Sequence, residues 1–137
     1  MNRQRGSATL ETILAVGFLL IPAAALLAQL PQWVGTSHAA QIAANEAARV
    51  AVLSDTLREA QDAASHTALE VIANHGHQPA DLLDIRLEGN LARGAVITAT
   101  VEVQGEPIVV PGLVTVGSPF VATASATERV DDYRGFP

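Results

Sequence analysis

The sequence of 137 residues contains no cysteine and no lysine, and aromatic residues make up only 4% of it. Without cysteine the chain can form neither disulfide bonds nor thiolate metal sites. Its eight basic residues are all arginines, set against fourteen acidic residues, and the formal net charge is -6. No basic stripe is present to neutralise a phosphate backbone, which argues against nucleic-acid binding. At this length we expect one small domain.

Motifs that carry catalytic or metal chemistry are also scarce. The histidines are His38, His66, His75 and His77, of which the last three could in principle hold zinc. No carboxylate or cysteine stands at a familiar ligand spacing from them. No serine lies in a Gly-x-Ser-x-Gly context, and no phosphate-cradling loop is present. We therefore expect a protein that is not an enzyme and that uses no metal or cofactor.

Hydrophobic residues, by contrast, make up 49% of the chain, and the longest apolar run lies near the N-terminus. Residues 12–30 carry no charge, and as a helix they would span about 28 Å, close to the ~30 Å hydrocarbon thickness of a bilayer. A soluble helix would show a polar face, whereas this run is apolar on all sides. Pro22, in its middle, predicts a helix kink that a membrane helix tolerates. The run predicts one transmembrane helix.

Charges on the two sides of this run differ in sign. The six residues at the N-terminus contain Arg3 and Arg5 and no acidic residue, whereas the chain after the run is net acidic. Positive charge is retained on the cytoplasmic side of membrane proteins. We therefore expect a cytoplasmic N-terminus and an exported C-terminal part.

One acidic residue stands at the start of the apolar helix. An ionised carboxylate at Glu11 needs a partner or water, and one interpretation is that it is solvated among the lipid headgroups. The alternative starts from a cut between Gly6 and Ser7, which would give Ser7 a charged amine about one helical turn from Glu11. In a bundle of staggered copies, the amine of one subunit could face the carboxylate of the next. That ion pair would fix how far neighbouring helices in the bundle are shifted along their axes.

The segment Arg-Gly-Ser-Ala-Thr-Leu-Glu, followed by a long apolar helix, resembles the cleavage region of type IV prepilins. The resemblance implies that a prepilin peptidase cuts after Gly6, that Ser7 becomes the N-terminal residue, and that Glu11 is the glutamate typical of the mature N-terminus. The short leader, the apolar helix and the alanine-rich residues 39–49 more narrowly resemble TadE-type minor pilins. These are pseudopilins of the tight-adherence (Tad or Flp) pilus system, and their chains also end in a small β-rich region.

The resemblance implies a minor pilin or pseudopilin that takes part in pilus assembly through its N-terminal helix. Its expected partners are the prepilin peptidase, other pilin or pseudopilin subunits, the Tad-type assembly machinery in the membrane, and the lipid bilayer. We expect a single-pass protein of the cytoplasmic membrane or a component of an extracellular pilus. Two alternatives stay open. The protein could be an uncleaved bitopic membrane scaffold, or a secreted binding module whose ordinary signal peptide is cut near residues 23–25.

The expected fold class is α+β, with a long N-terminal helix, a second amphipathic helix and a small antiparallel sheet. We divide the chain into a leader of residues 1–6, an N-terminal helix of residues 7–53 and an exported domain of residues 54–137. Trp33 could anchor the long helix at the membrane surface. Thr56 and Glu59 match a capping box, which predicts the start of the second helix.

This second helix is predicted to end where Asn74-His75-Gly76 supplies a stop signal. Alternation of apolar and polar residues then predicts three or four antiparallel strands. The candidate strands are residues 83–88, 95–103, 108–116 and 120–130. The apolar face of their sheet needs a cover, and the second helix is the expected one.

Overall fold

The structure, a computed structural model, describes residues 4–107 and 119–133, with side chains from residue 10 onward. It confirms the α+β class, with two helices and a three-stranded antiparallel sheet. The strand expected at residues 108–116 lies outside the described residues. The elements are α1 (Gln4–Ala51), α2 (Leu57–Asn74), a 3₁₀ turn (Pro79–Asp81), β1 (Leu82–Gly89), β2 (Val96–Gln104) and β3 (Val121–Arg129).

Helix α1 divides into two halves that lie in different surroundings. In the first half the large apolar side chains are exposed, as Phe18 shows at 80% of its surface. This half is long and apolar enough to cross a membrane, and none of its most apolar window is buried within the protein. In the second half a stripe of alanines is fully buried: Ala39, Ala40, Ala43, Ala44, Ala47, Ala48 and Ala51. The first half therefore projects from a domain whose core contains the second half.

Helix α2 runs back along α1 and presents a matching stripe of small side chains. Ala60, Ala64 and Ala68 follow one another at four-residue steps and are fully buried, and Ile72 continues the stripe. Residues four apart share one face of a helix, so this stripe lies against the alanines of α1. Methyl side chains on both helices allow the two backbones to approach closely. The contact is dense but leaves no room for larger side chains.

Both ends of α2 lie where the sequence predicts them. The Thr56 hydroxyl accepts a hydrogen bond from the backbone N–H of Glu59 at 3.2 Å. The Glu59 carboxylate in turn accepts from the backbone N–H of Asp55 at 3.2 Å, one residue earlier than in a standard capping box. At the other end the helix stops at Asn74, and Gly76 adopts a left-handed conformation with φ of 84°. Glycine enters that conformation without steric cost.

Replacing Thr56 with alanine should lower the stability of the exported domain by about 1 kcal/mol, because the backbone N–H of Glu59, at the start of α2, loses its hydrogen-bond acceptor. For a domain of this size, the thermal midpoint should fall by about 4–8 °C for each kcal/mol lost. Circular dichroism of the full chain in detergent would measure the change. Thr67→Ala, within the same helix, is the control and should leave the midpoint unchanged or slightly higher, because alanine is the better helix former. Equal midpoints for Thr56→Ala and the wild type would contradict the cap.

The sheet has the order β1-β2-β3, with both neighbouring pairs antiparallel. On its inner face β2 contributes Ile97, Ala99, Val101 and Val103, all fully buried. On its outer face Thr and Ser side chains pair across β2 and β3, at 2.9 Å in both cases. The turn into β2 requires Gly89, since its φ is 122° and a Cβ atom there would overlap the Val96 carbonyl oxygen. The period-two pattern thus correctly separated the two faces of β2. In β1 it is wrong at Leu83, which was expected on the core face and is 47% exposed, because the register shifts between Leu82 and Asp84 and Leu82 packs against the core instead.

The cover of the sheet differs from the sequence-based prediction. We expected α2 to cover it alone, whereas the second half of α1 lies over β2 and β3, and α2 lies mainly over β1. The physical reason is the inner face of β3, whose contacts to the core are made by Ala122, Ala124 and Ala126. These small side chains admit the alanine stripe of α1 at short range. Helix α2 meets the edge of the sheet instead, where the Gln61 amide donates to the Ile85 carbonyl at 3.0 Å.

Candidate functional site

The residues of the expected cleavage site lie on α1 itself. The helix begins at Gln4, so Gly6, Ser7 and Glu11 belong to one continuous helical segment. Ser7 and Glu11 are four residues apart, which corresponds to a rise of about 6 Å along the helix axis. Glu11 is exposed, and none of the ion pairs among the described side chains includes it. Its carboxylate is therefore accessible to a group outside the chain.

Two prolines lie in the apolar half of α1. The helix continues through Pro22 and also through Pro31, which the sequence interpretation did not single out. Each proline lacks the N–H that would pair with the carbonyl four residues before it, at Phe18 and Leu27 respectively. In a bilayer those carbonyls need a substitute donor. A kink at Pro22 stays a prediction.

The point where α1 leaves the domain is fixed by contacts to the segment around β3. The rings of Trp33 and Phe120 stack with centroids 6.2 Å apart. The backbone N–H of Gly105 donates to the Phe120 carbonyl at 2.7 Å. A Cβ atom at Gly105 would lie 3.1 Å from the Thr36 hydroxyl, so this glycine lets β2 end close against α1. Trp33 thus has a structural partner, and its role as a membrane anchor stays a prediction.

A cavity of about 420 Å³ opens beside this junction, and we call it the proximal cavity. Its walls come from three separate parts of the chain: residues 32–36 of α1, residues 75–81 after α2, and residues 104–107 at the end of β2. Sequence reasoning missed it because no local signal links segments so distant in the chain. The volume lies within the usual range for small-molecule pockets.

Histidines and acidic residues give the proximal cavity its chemistry. His75 and His77 both line it, as do Asp81 and Glu106. The Nδ1 atom of His75 lies 2.8 Å from the Val71 carbonyl oxygen, so Nδ1 carries the proton and Nε2 remains for another contact. The Nδ1 atom of His77 lies 3.7 Å from Asp81 Oδ2, an oxygen that also accepts from the Gln78 backbone N–H at 2.7 Å.

The remaining histidines are placed differently. His38, on α1, lies edge-on to His75 with ring centroids 6.3 Å apart. His66 is exposed on α2, where its Nδ1 atom lies 3.7 Å from the Glu70 carboxylate. Within residues 4–107 and 119–133, no group of three or more histidine, aspartate or glutamate side chains has an arrangement that could hold a metal ion.

The chain matches no protein-family model, no curated protein and no solved structure. The features of the chain that bear on function are therefore the residues at the N-terminus of α1 and the division of that helix into an exposed apolar half and a buried half.

Proposed function

We propose that this protein is a TadE-like minor pilin or pseudopilin of a Tad/Flp pilus. A prepilin peptidase cuts it between Gly6 and Ser7, and its N-terminal helix then packs among other pilin subunits during pilus assembly. The observation that carries the proposal is the form of α1. One unbroken helix joins the expected cut site and Glu11 to an exposed apolar stretch, and its second half forms part of the core of a small α+β domain.

The exposed apolar half of α1 needs a non-aqueous environment. Its large side chains are exposed, with Ile13 and Leu27 at 66% and Phe18 at 80%, and a contiguous apolar surface of this extent is not stable in water. A bilayer covers it first, since the stretch has the length of a membrane span. In a pilus, the helices of neighbouring subunits would replace the lipid. An amphipathic soluble helix would not support this function, because its polar face would enter the bilayer.

Two alternatives compete with the pilin function. An uncleaved bitopic scaffold keeps the same helix and differs only in retaining residues 1–6. A secreted binding module loses the apolar stretch through a cut near residues 23–25, within α1. The second alternative is disfavoured by Glu11 inside the apolar region and by the length of the run, both unusual for a signal peptide.

The N-terminal residue of the mature protein tests the proposal. In cells with an active prepilin peptidase, we expect intact-mass measurement and Edman sequencing to give a chain that starts at Ser7. Gly6→Leu should block the cut, because the resemblance implies a peptidase that accepts glycine before the scissile bond. Gly17→Ala, whose added methyl group meets no atom within 4 Å, is the control and should be processed normally. A chain that starts at Met1 would favour the scaffold, and one that starts near Leu26 the secreted module.

A further inference from the structure

The proximal cavity lies at a definite depth relative to the apolar stretch of α1. The stretch ends at Leu30, and the cavity is lined by Gln32, Gly35 and Thr36. These residues follow Leu30 by about 3–9 Å along the helix axis. The polar layers on the two sides of a ~30 Å hydrocarbon core together add roughly 10–15 Å, or about 5–8 Å on each side. With the apolar stretch in a bilayer, the α1 wall of the cavity therefore lies at about the depth of the headgroup layer.

The side chains of the cavity are suited to a headgroup with two opposite charges. His77 can donate a hydrogen bond to a phosphate oxygen, and Gln32 adds an amide donor. Asp81 and Glu106 instead offer acceptors for an ammonium group, and so does the Nε2 atom of His75, because its Nδ1 atom carries the proton. These carboxylates disfavour a purely anionic headgroup. They also favour ethanolamine over choline, because a trimethylated ammonium has no N–H to donate.

The surface of α1 below the cavity leaves space for acyl chains. Ala28 and Ala25 precede Gln32 by four and seven residues and therefore share its face of the helix. Their methyl side chains are shorter than those of neighbours such as Leu27, which is 66% exposed. A lipid whose headgroup enters the cavity can lay its chains along this face. A soluble ligand would make no use of it.

We propose that the proximal cavity binds the headgroup of an ethanolamine phospholipid, with the phosphate toward His77 and Gln32 and the ammonium toward His75, Asp81 and Glu106. This inference depends on the membrane insertion that the proposed function includes. It assigns the protein a bound lipid at the base of its exported domain. The lipid would join residues of α1, of the segment after α2 and of the end of β2.

Native mass spectrometry of the full chain, released from vesicles of equal parts phosphatidylethanolamine, phosphatidylcholine and phosphatidylglycerol, tests the assignment. We expect the wild type to retain phosphatidylethanolamine about tenfold over either other lipid, the discrimination given by one charge-assisted hydrogen bond. Gly35→Leu should remove this preference by filling the cavity. It should still fold, since a Cβ atom at Gly35 meets nothing within 4 Å and leucine is a better helix former. Circular dichroism checks its folding.

The double variant His75→Gln, His77→Gln should also lose the preference, whereas His66→Gln should keep it, because His66 lies on α2 away from the cavity. Equal retention of the three lipids by the wild type, or an unchanged preference in Gly35→Leu, would overturn the proposal. A second arm adds soluble phosphoethanolamine to lipid-free protein in detergent. Binding of that molecule without selective lipid retention would also overturn the assignment to a lipid. The same mass spectra give the N-terminal residue, so a failure of cleavage is seen independently of lipid binding.

Discussion

Glu11→Gln should reduce incorporation of the protein into pili by about a hundredfold, because loss of one partner from a buried ion pair leaves the other charge uncompensated. Cleavage should continue, since the cut lies five residues before Glu11 and the leader is unchanged. The expected result is thus a mature chain that starts at Ser7 and stays in the membrane fraction. Immunoblotting of sheared pili and of membranes, with N-terminal sequencing of both, would measure it.

The size of this effect follows from the change in the environment of Glu11, from water in the single chain to a bundle of apolar helices in the pilus. In the single chain Glu11 is exposed and no described side chain forms an ion pair with it. Among close-packed apolar helices it would leave water, and only a nearby positive charge could compensate that transfer. The amine of Ser7 on the next subunit is such a charge, and its attraction is stronger in a medium of low polarity than in water. Glutamine keeps the shape of the side chain and removes only the charge.

Glu46→Gln is the matched control. Glu46 lies on the same helix but in the exported half, and it is only partly buried. Its replacement removes the same charge from the protein without affecting the apolar stretch, so incorporation should stay at the wild-type level. Normal pilus incorporation of Glu11→Gln would show that the carboxylate has no function in register. Loss of incorporation in both variants would instead point to net charge as the cause.

Local signals in the sequence predicted most of the elements. The capping residues around Thr56 and the stop at Gly76 placed α2 within one residue at either end, because caps act within a single turn. The alternation placed both strands and the two faces of β2, since it follows directly from the pleat. It failed at Leu83 in β1, because a register shift next to this residue is not encoded in the alternation. The continuous α1 was also predicted, although its second proline, Pro31, was not weighed.

The packing of the helices and the sheet was harder to predict, because an alanine-rich sequence does not distinguish a buried helix face from an exposed one. The buried stripe of α1 alternates with Gln41, Asn45 and Arg49, which lie at four-residue steps on the exposed side. That period was present in the sequence, but a run of alanines is compatible with a core, a bilayer or solvent. The Trp33–Phe120 contact joins residues far apart in the chain, as do the walls of the proximal cavity. No local propensity encodes such contacts, which depend on how the helices and the sheet pack.

A larger side chain at the contact between α1 and α2 should strongly lower the thermal stability of the domain. Ala64 is fully buried with Ala47, Ala48 and Ala99, so four methyl side chains meet at this point. Ala64→Leu adds three carbon atoms to this buried cluster. Overpacking of this kind costs about 1–3 kcal/mol, and the thermal midpoint of a domain of this size falls by about 4–8 °C per kcal/mol. Thermal unfolding followed by circular dichroism would measure the loss.

Ala73→Leu separates overpacking from a general effect of leucine on α2. Ala73 is exposed on the same helix, so its replacement should change the stability by less than about 0.5 kcal/mol. A wild-type midpoint for Ala64→Leu would mean that α2 does not lie against the alanine stripe of α1. Membrane association should persist even in the destabilised variant, because the exposed half of α1 contributes nothing to this core. Loss of the fold without loss of the membrane fraction would then demonstrate that one helix serves two environments, with the boundary between Leu30 and Thr36.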